Sequence, residues 1–327
     1  MTIAPVLQIF AITFPFFALI AAGYLAARSR LLPLDAIPGL NAFVLYFALP
    51  CMLYRFGAGT PIAQLLDGSV ALVWGAGALV VVGGVIALTR RGGRGWNDAA
   101  FGALVAAFPN TGFVGVPLLA ALLGAQVAGP VIITMAFDMV VTSSLCIALS
   151  RLDGMGGANG GAATALRQAL RGMVRNPMPW AMLLGALASA LQFRLPGPAA
   201  ATVAMLAAAA SPAALFTIGA VLARAALQAG HGDRRAPVGD VLPVVVAKLV
   251  VHPLLVYGLA QGARALGLPL DRAALVALVL VAALPSASNV SMLAERFGAD
   301  NGRVARIILW TTVAAFFSFP VVANWLR

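Results

Sequence analysis

Charge is scarce in this chain. Only 9% of its 327 residues are Asp, Glu, Lys or Arg, against about a quarter in soluble globular proteins. A water-soluble fold would have too little polar material for its surface. Lysine occurs once, as Lys248 inside an apolar run. Without a Gly-Lys pair there is no Walker A loop, which excludes ATP-driven transport. The two cysteines, Cys51 and Cys146, lie in separate apolar runs, so neither a disulfide framework nor a CxxC metal pattern is available. No HExxH zinc site and no GxSxG elbow occurs, so no metal, cofactor or enzymatic activity is expected. Gly230-His231-Gly232-Asp233 matches the GxGD string of intramembrane aspartyl proteases, but it sits in a hydrophilic loop beside Arg234 and Arg235. The N-terminus lacks a basic region, and its uncharged stretch from Pro5 to Ala27 exceeds the about 7–15 residues of a signal-peptide core. It reads as a retained spanning helix.

What the chain has in quantity is apolar sequence, 62% of the total, gathered into runs. A spanning helix needs about 20 apolar residues to cross about 30 Å of hydrocarbon. Ten runs qualify, at 5–27, 36–55, 68–89, 98–123, 127–150, 177–193, 198–223, 241–263, 273–295 and 304–326. The expected fold class is therefore all-α integral membrane.

The net charge of +11 does not point to nucleic acid. Every basic residue except Lys248 lies in or beside a gap between apolar runs, where it would meet headgroups rather than form one basic face. Fifteen basic residues fall in the odd-numbered connections, and five in the even-numbered ones and the C-terminus. Since cytoplasmic loops carry the excess, both termini are expected outside a cytoplasmic (inner) membrane. The longest connection combines five glycines with Arg167, Arg171 and Arg175 spaced four apart. That spacing suits an interfacial helix on anionic lipid or simply a solvated linker end.

The two halves share punctuation. Pro15 answers Pro179, Pro50 answers Pro212 and Pro109 answers Pro285, in the same order of spans. With five spans per copy, the second enters the membrane inverted, the plan of many secondary transporters. Residues 1–151 would form the first repeat, 152–176 a cytoplasmic linker and 177–327 the second repeat.

Span four carries Pro109, Asn110, Thr111, Gly112, Phe113, Gly115 and Pro117 in mid-membrane, and span nine carries Pro285, Ser286, Ser288 and Asn289. Proline removes a backbone donor and clashes with the preceding turn, so neither helix stays regular. Unpaired backbone is tolerated in a bilayer only inside protein or beside a cavity. Two such breaks at matching positions predict crossed helices near the midplane, whose half-helix N-termini favour an anion. Asn110, Thr111, Ser286, Ser288 and Asn289 would add hydrogen bonds, and Phe113 would shape the pocket. The bland alternative is that these small polar residues merely knit helices together.

At these residues the sequence resembles the auxin efflux carrier family, which includes bacterial malate and malonate permeases. The Asn-x-x-Phe-x-Gly-x-Pro-Leu string at Asn110 to Leu118 and the Pro-Ser-Ala-x-Asn string at Pro285 to Asn289, followed by Leu293-Ala294-Glu295-Arg296-Phe297-Gly298, look like its two signatures. The resemblance spans the chain. It implies ten helices, outward termini, crossed fourth and ninth helices in a fold similar to sodium/proton antiporters and bile-acid transporters, and carriage of an organic anion. The central loop is far shorter than in the large plant carriers, which weighs against auxin itself.

Ionisable residues inside spans are functional candidates by default. Asp138 lies in span five, and Lys248 and His252 lie one turn apart in span eight. Asp138 and Lys248 could exchange a proton or a salt bridge as substrate binds, or could form a permanent pair. His252 could relay protons or simply be packed. Because neither break carries a carboxylate, protons suit the coupling role better than sodium. The resulting expectation is a proton-coupled carrier of a small carboxylate, with a homodimer left open. A cation/proton antiporter with no organic substrate is the alternative.

Overall fold

The computed structural model describes residues 3–124, 127–154, 177–229 and 238–326. The arginine-spaced stretch at 167–175, most of the linker and the GxGD string lie outside the described residues. Among the described residues there is no strand, only one antiparallel bridge between Pro109 and Ser286.

The first half contains α1 (Ile3–Arg28), α2 (Leu34–Gly59), α3 (Gly68–Arg91), α4 (Trp96–Ala107), α5 (Thr111–Leu123) and α6 (Ala128–Leu149). After the linker come α7 (Pro177–Ala190), α8 (Gly197–Ala229), α9 (Val238–Ala265), α10 (Arg272–Ala282), α11 (Asn289–Arg296) and α12 (Asn301–Trp325). Among the described residues, seven stretches, which run through α1, α2, α3, α6, α8, α9 and α12, are long and apolar enough to cross a membrane, while α5, α7 and α10 are apolar but shorter. The protein is thus a multi-pass helical membrane protein.

Three of the ten acids cap helices. Asp67 caps α3 by accepting from the Ser69 and Val70 amides at 2.9 and 3.2 Å. Asp271 caps α10 through Ala274, and Asp300 caps α12 through Arg303. Each satisfies donors that a helix start leaves orphaned.

Helices in lipid gain little from the hydrophobic effect, so close packing has to come from small residues. Two crossings show this. A Cβ added to Gly23 of α1 would fall 1.9 Å from the Phe216 carbonyl oxygen of α8, and one on Gly219 would fall 1.9 Å from that of Ile20. Likewise α2 and α7 touch at Gly57 and Gly185, where a Cβ on Gly185 would lie 2.6 Å from the Tyr54 carbonyl oxygen. These contacts bind α1, α2, α7 and α8 into one bundle, and α3, α4, α6, α9, α10 and α12 pack into a second.

One end of the second bundle is held by charge. Arg94, after α3, reaches Asp240 at 2.6 Å, Asp300 at 3.3 Å and Asp98 at 3.4 Å. The hydrogen bond to Asp240 raises the Arg94 guanidinium above its ordinary value. Beside it, the buried Arg303 donates to the backbone carbonyls of Asp98 and Asp240. The starts of α4, α9 and α12 are tied together there.

Candidate functional site

The break between α4 and α5 follows from Pro109. A residue before proline is pushed away from the α region, and Phe108 ends α4 extended, at φ −98° and ψ 99°. Pro109 has no amide to donate, Asn110 turns the chain at φ −78° and ψ 57°, and α5 starts with a wide π turn over Thr111–Gly115. In the second half, Pro285 stands in the gap between α10 and α11.

The two gaps satisfy one another. The Asn110 amide donates to the Pro285 carbonyl at 2.8 Å, and the Ala287 amide donates to the Phe108 carbonyl at 3.0 Å. Buried backbone groups need partners, and each break supplies those that the other lacks. The structure brings Pro109, Asn110, Pro285 and Ser286 side by side. Gly115 lets the chains approach, since a Cβ there would lie 2.6 Å from Leu284 Cδ1. Gly112 faces Met135 of α6. Thr111 and Phe113 are buried, whereas Ser288 and Asn289 are half-buried.

Several polar atoms here are left over. Asn110 Oδ1, Ser286 Oγ and Asn289 Oδ1 are buried without a hydrogen-bond partner. Unpaired buried polar atoms are costly and call for an explanation. The Thr111 hydroxyl is engaged with the Pro109 carbonyl at 3.5 Å, so Thr111 offers less than the sequence suggests.

Asp138 and Lys248 both sit on π turns, Asp138–Thr142 in α6 and Ala247–Val251 in α9, a helix irregularity frequent at functional sites. Both are fully buried. No ion pair within 4.0 Å joins the two side chains. Asp138 Oδ1 accepts from Trp74 Nε1 at 3.1 Å and from the Thr142 hydroxyl at 2.9 Å, leaving Oδ2 unpartnered. Lys248 donates to the Ala282 carbonyl at 3.0 Å and lies 3.3 Å from His252 Nδ1. His252 is a packed residue whose ring centroid lies 5.3 Å from that of Trp74, with Nε2 unpartnered. The indole of Trp74 therefore touches both Asp138 and the ring of His252. Glu295 is exposed at the end of α11.

Two contributors escaped the sequence reading. Thr311 of α12 accepts the Ser286 amide at 3.2 Å and so anchors the second break from a third helix. Hydroxyls are common in spanning helices and nothing distinguished this one. Trp74 did carry a signal, because it lies nearly two turns inside α3 while Trp favours membrane interfaces.

A family model described as "Membrane transport protein" matches residues 4–156 and 162–323. The chain belongs to this family, the auxin efflux carriers. It is a membrane transporter and not an enzyme. A protein of Rhizobium meliloti (strain 1021) named "Putative malonate transporter" is 30% identical over 309 residues, covering 94% of this chain and 92% of the relative. An "Uncharacterized transporter YfdV" of Escherichia coli (strain K12) is 26% identical, covering 86% of each, and that of Shigella flexneri matches equally.

Proposed function

We propose that this transporter carries a small carboxylate, of the malonate or malate type, coupled to protons and working by alternating access around crossed fourth and ninth spans. The observation that carries the reading is the mutual pairing of the two breaks, which leaves Asn110, Ser286 and Asn289 with buried polar atoms unspent. The hydroxyl of Ser286 can donate to a carboxylate oxygen. Rotating the Asn110 amide turns its NH2 to the same place, since the two ends of that group are interchangeable by a flip. The starts of α5 and α11 add amides that lack helical partners and the positive ends of two dipoles.

In this reading α4 with α5, and α10 with α11, are the broken fourth and ninth of ten passes, and α7 is the sixth. Two inverted repeats account for the glycine crossings. Gly57 lies seven residues beyond Pro50, and Gly219 lies seven beyond Pro212, so the contact of spans one and seven mirrors that of spans six and two. The first bundle would be the scaffold and the second the moving body. Both termini lie outside an inner membrane, by the basic-residue asymmetry. The malonate-named relative supports the substrate class.

Coupling rests on Asp138, whose unpartnered Oδ2 would carry the proton. A buried carboxylate with a free oxygen also suits a cation/proton antiporter, so both readings meet in one experiment. Labelled malonate and malate are offered to proteoliposomes with and without a pH gradient, comparing the wild type with Asn110→Ala. Gradient-stimulated uptake that the substitution abolishes supports the carboxylate carrier. No carboxylate uptake, together with cation-dependent proton flux, establishes the antiporter instead.

A further inference from the structure

A cavity of about 420 Å³ opens where α2 and α8 of the first bundle face α6 of the second and α5. Arg55 and Thr60 line it from the end of α2, Ser211 from α8 and Pro117 from α5. No acidic residue contributes to its wall. The Arg55 guanidinium makes no hydrogen bond or ion pair with any described residue, unlike Arg94, which is matched to three carboxylates. The Ser211 hydroxyl is likewise unspent, whereas that of Thr60 is turned to the Phe56 carbonyl at 2.7 Å. A net positive charge thus sits unneutralised in a concave space between the bundles. Volumes of about 300–1,000 Å³ are usual for small-ligand sites, so a short-chain acid fits.

The cavity is continuous in sequence with the breaks. Pro117 lies on α5, seven residues past Asn110, which stands just before that helix, about 10 Å at about 1.5 Å per residue. Arginine presents a planar fork of donors that matches a carboxylate with two parallel hydrogen bonds. Placed at the mouth of a low-dielectric cleft, such a charge raises the local concentration of anions and their rate of entry.

We infer that this cavity is an entry site for the transported carboxylate, in which Arg55 captures the anion before it passes along α5 to the paired breaks. The inference rests on the carboxylate-carrier reading above. Arg55 acts on capture and not on the translocation step, so its loss raises KM while leaving kcat near the wild-type value. A lysine at the same place keeps the charge and loses the fork.

The test measures initial rates of malonate uptake in phosphatidylcholine vesicles for the wild type, Arg55→Gln, Arg55→Lys and Asn110→Ala, at low and high ionic strength. Arg55→Gln should raise KM about fivefold, in keeping with one partly exposed charged contact, and Arg55→Lys should recover part of it. High ionic strength should weaken the wild type and leave Arg55→Gln almost unchanged. Uptake lost in Asn110→Ala with KM unaltered in Arg55→Gln overturns the entry site and leaves the carrier reading standing. A KM difference that appears only when anionic lipid is added overturns it too, because Arg55 then holds a lipid phosphate. If the wild type transports no carboxylate, both fall.

Discussion

Lys248 holds a carbonyl that is free only because α10 ends early. In a continuous helix the Ala282 oxygen would accept from the Ser286 amide, four residues on. That amide donates to Thr311 instead, and the Lys248 ammonium takes its place. Lys248→Met is expected to lose about 1–3 kcal/mol, the cost of leaving a buried acceptor unsatisfied, read as a lower unfolding temperature in detergent. Thr311→Val should have a similar effect from the other side of the break. Asp138→Asn is different, because its amide oxygen still accepts from Trp74 and Thr142. It should fold as the wild type does yet lose the stimulation of malonate uptake by a pH gradient, and gradient-driven uptake that survived would remove Asp138 from the coupling path. These residues were visible in the sequence as rare ionisable groups within apolar runs. Their partners were not. Composition shows that Asp138 and Lys248 share a membrane, but which faces of α6 and α9 they occupy depends on packing, and each bonds a different partner, Trp74 for the acid and the Ala282 carbonyl for the lysine.

The breaks were the most legible elements, since proline, glycine and polar residues crowded into an apolar run leave a helix no regular course. That each break repairs the other was harder to foresee, because it depends on two backbone segments lying antiparallel at hydrogen-bonding distance. The glycines were harder still. The chain has 34 of them, and spacing along one helix does not reveal which lie at helix crossings. Gly219→Val would drive a side chain into the Ile20 carbonyl and push α1 from α8. It should cost more than about 2 kcal/mol, as overpacking of a tight interface does, and leave little monodisperse protein on size exclusion. Gly83 of α3 has nothing within 4 Å of an added Cβ. Gly83→Ala should therefore stabilise the helix by about 0.5–1 kcal/mol. Equal behaviour of the two variants would mean that the α1–α8 crossing does not need its glycines.

Across the whole molecule, alternating access requires the two bundles to move relative to one another, and the structure offers a place to stop them. The Asn41 amide of α2 lies 3.8 Å from the Met292 sulfur of α11, at the opposite end of α2 from Arg55. These residues belong to the proposed scaffold and to the broken ninth span of the proposed moving body. With Cys51→Ser and Cys146→Ser as background, Asn41→Cys and Met292→Cys can be joined by a short reducible cross-linker. If the bundles rock, linked protein should bind malonate yet carry none, and reduction should restore uptake to the level of the unlinked double variant. A linker bridging two parts of one rigid body would leave the rate unchanged. Arg94 provides the contrast, because its three carboxylates all belong to the second bundle. Tying Asp98 to Asp240 through the same pair of substitutions and the same linker should leave transport running, since that end travels as a unit. Arrest by both links would refute the assignment of the bundles, and arrest by the first alone would establish that the motion passes between α2 and α11.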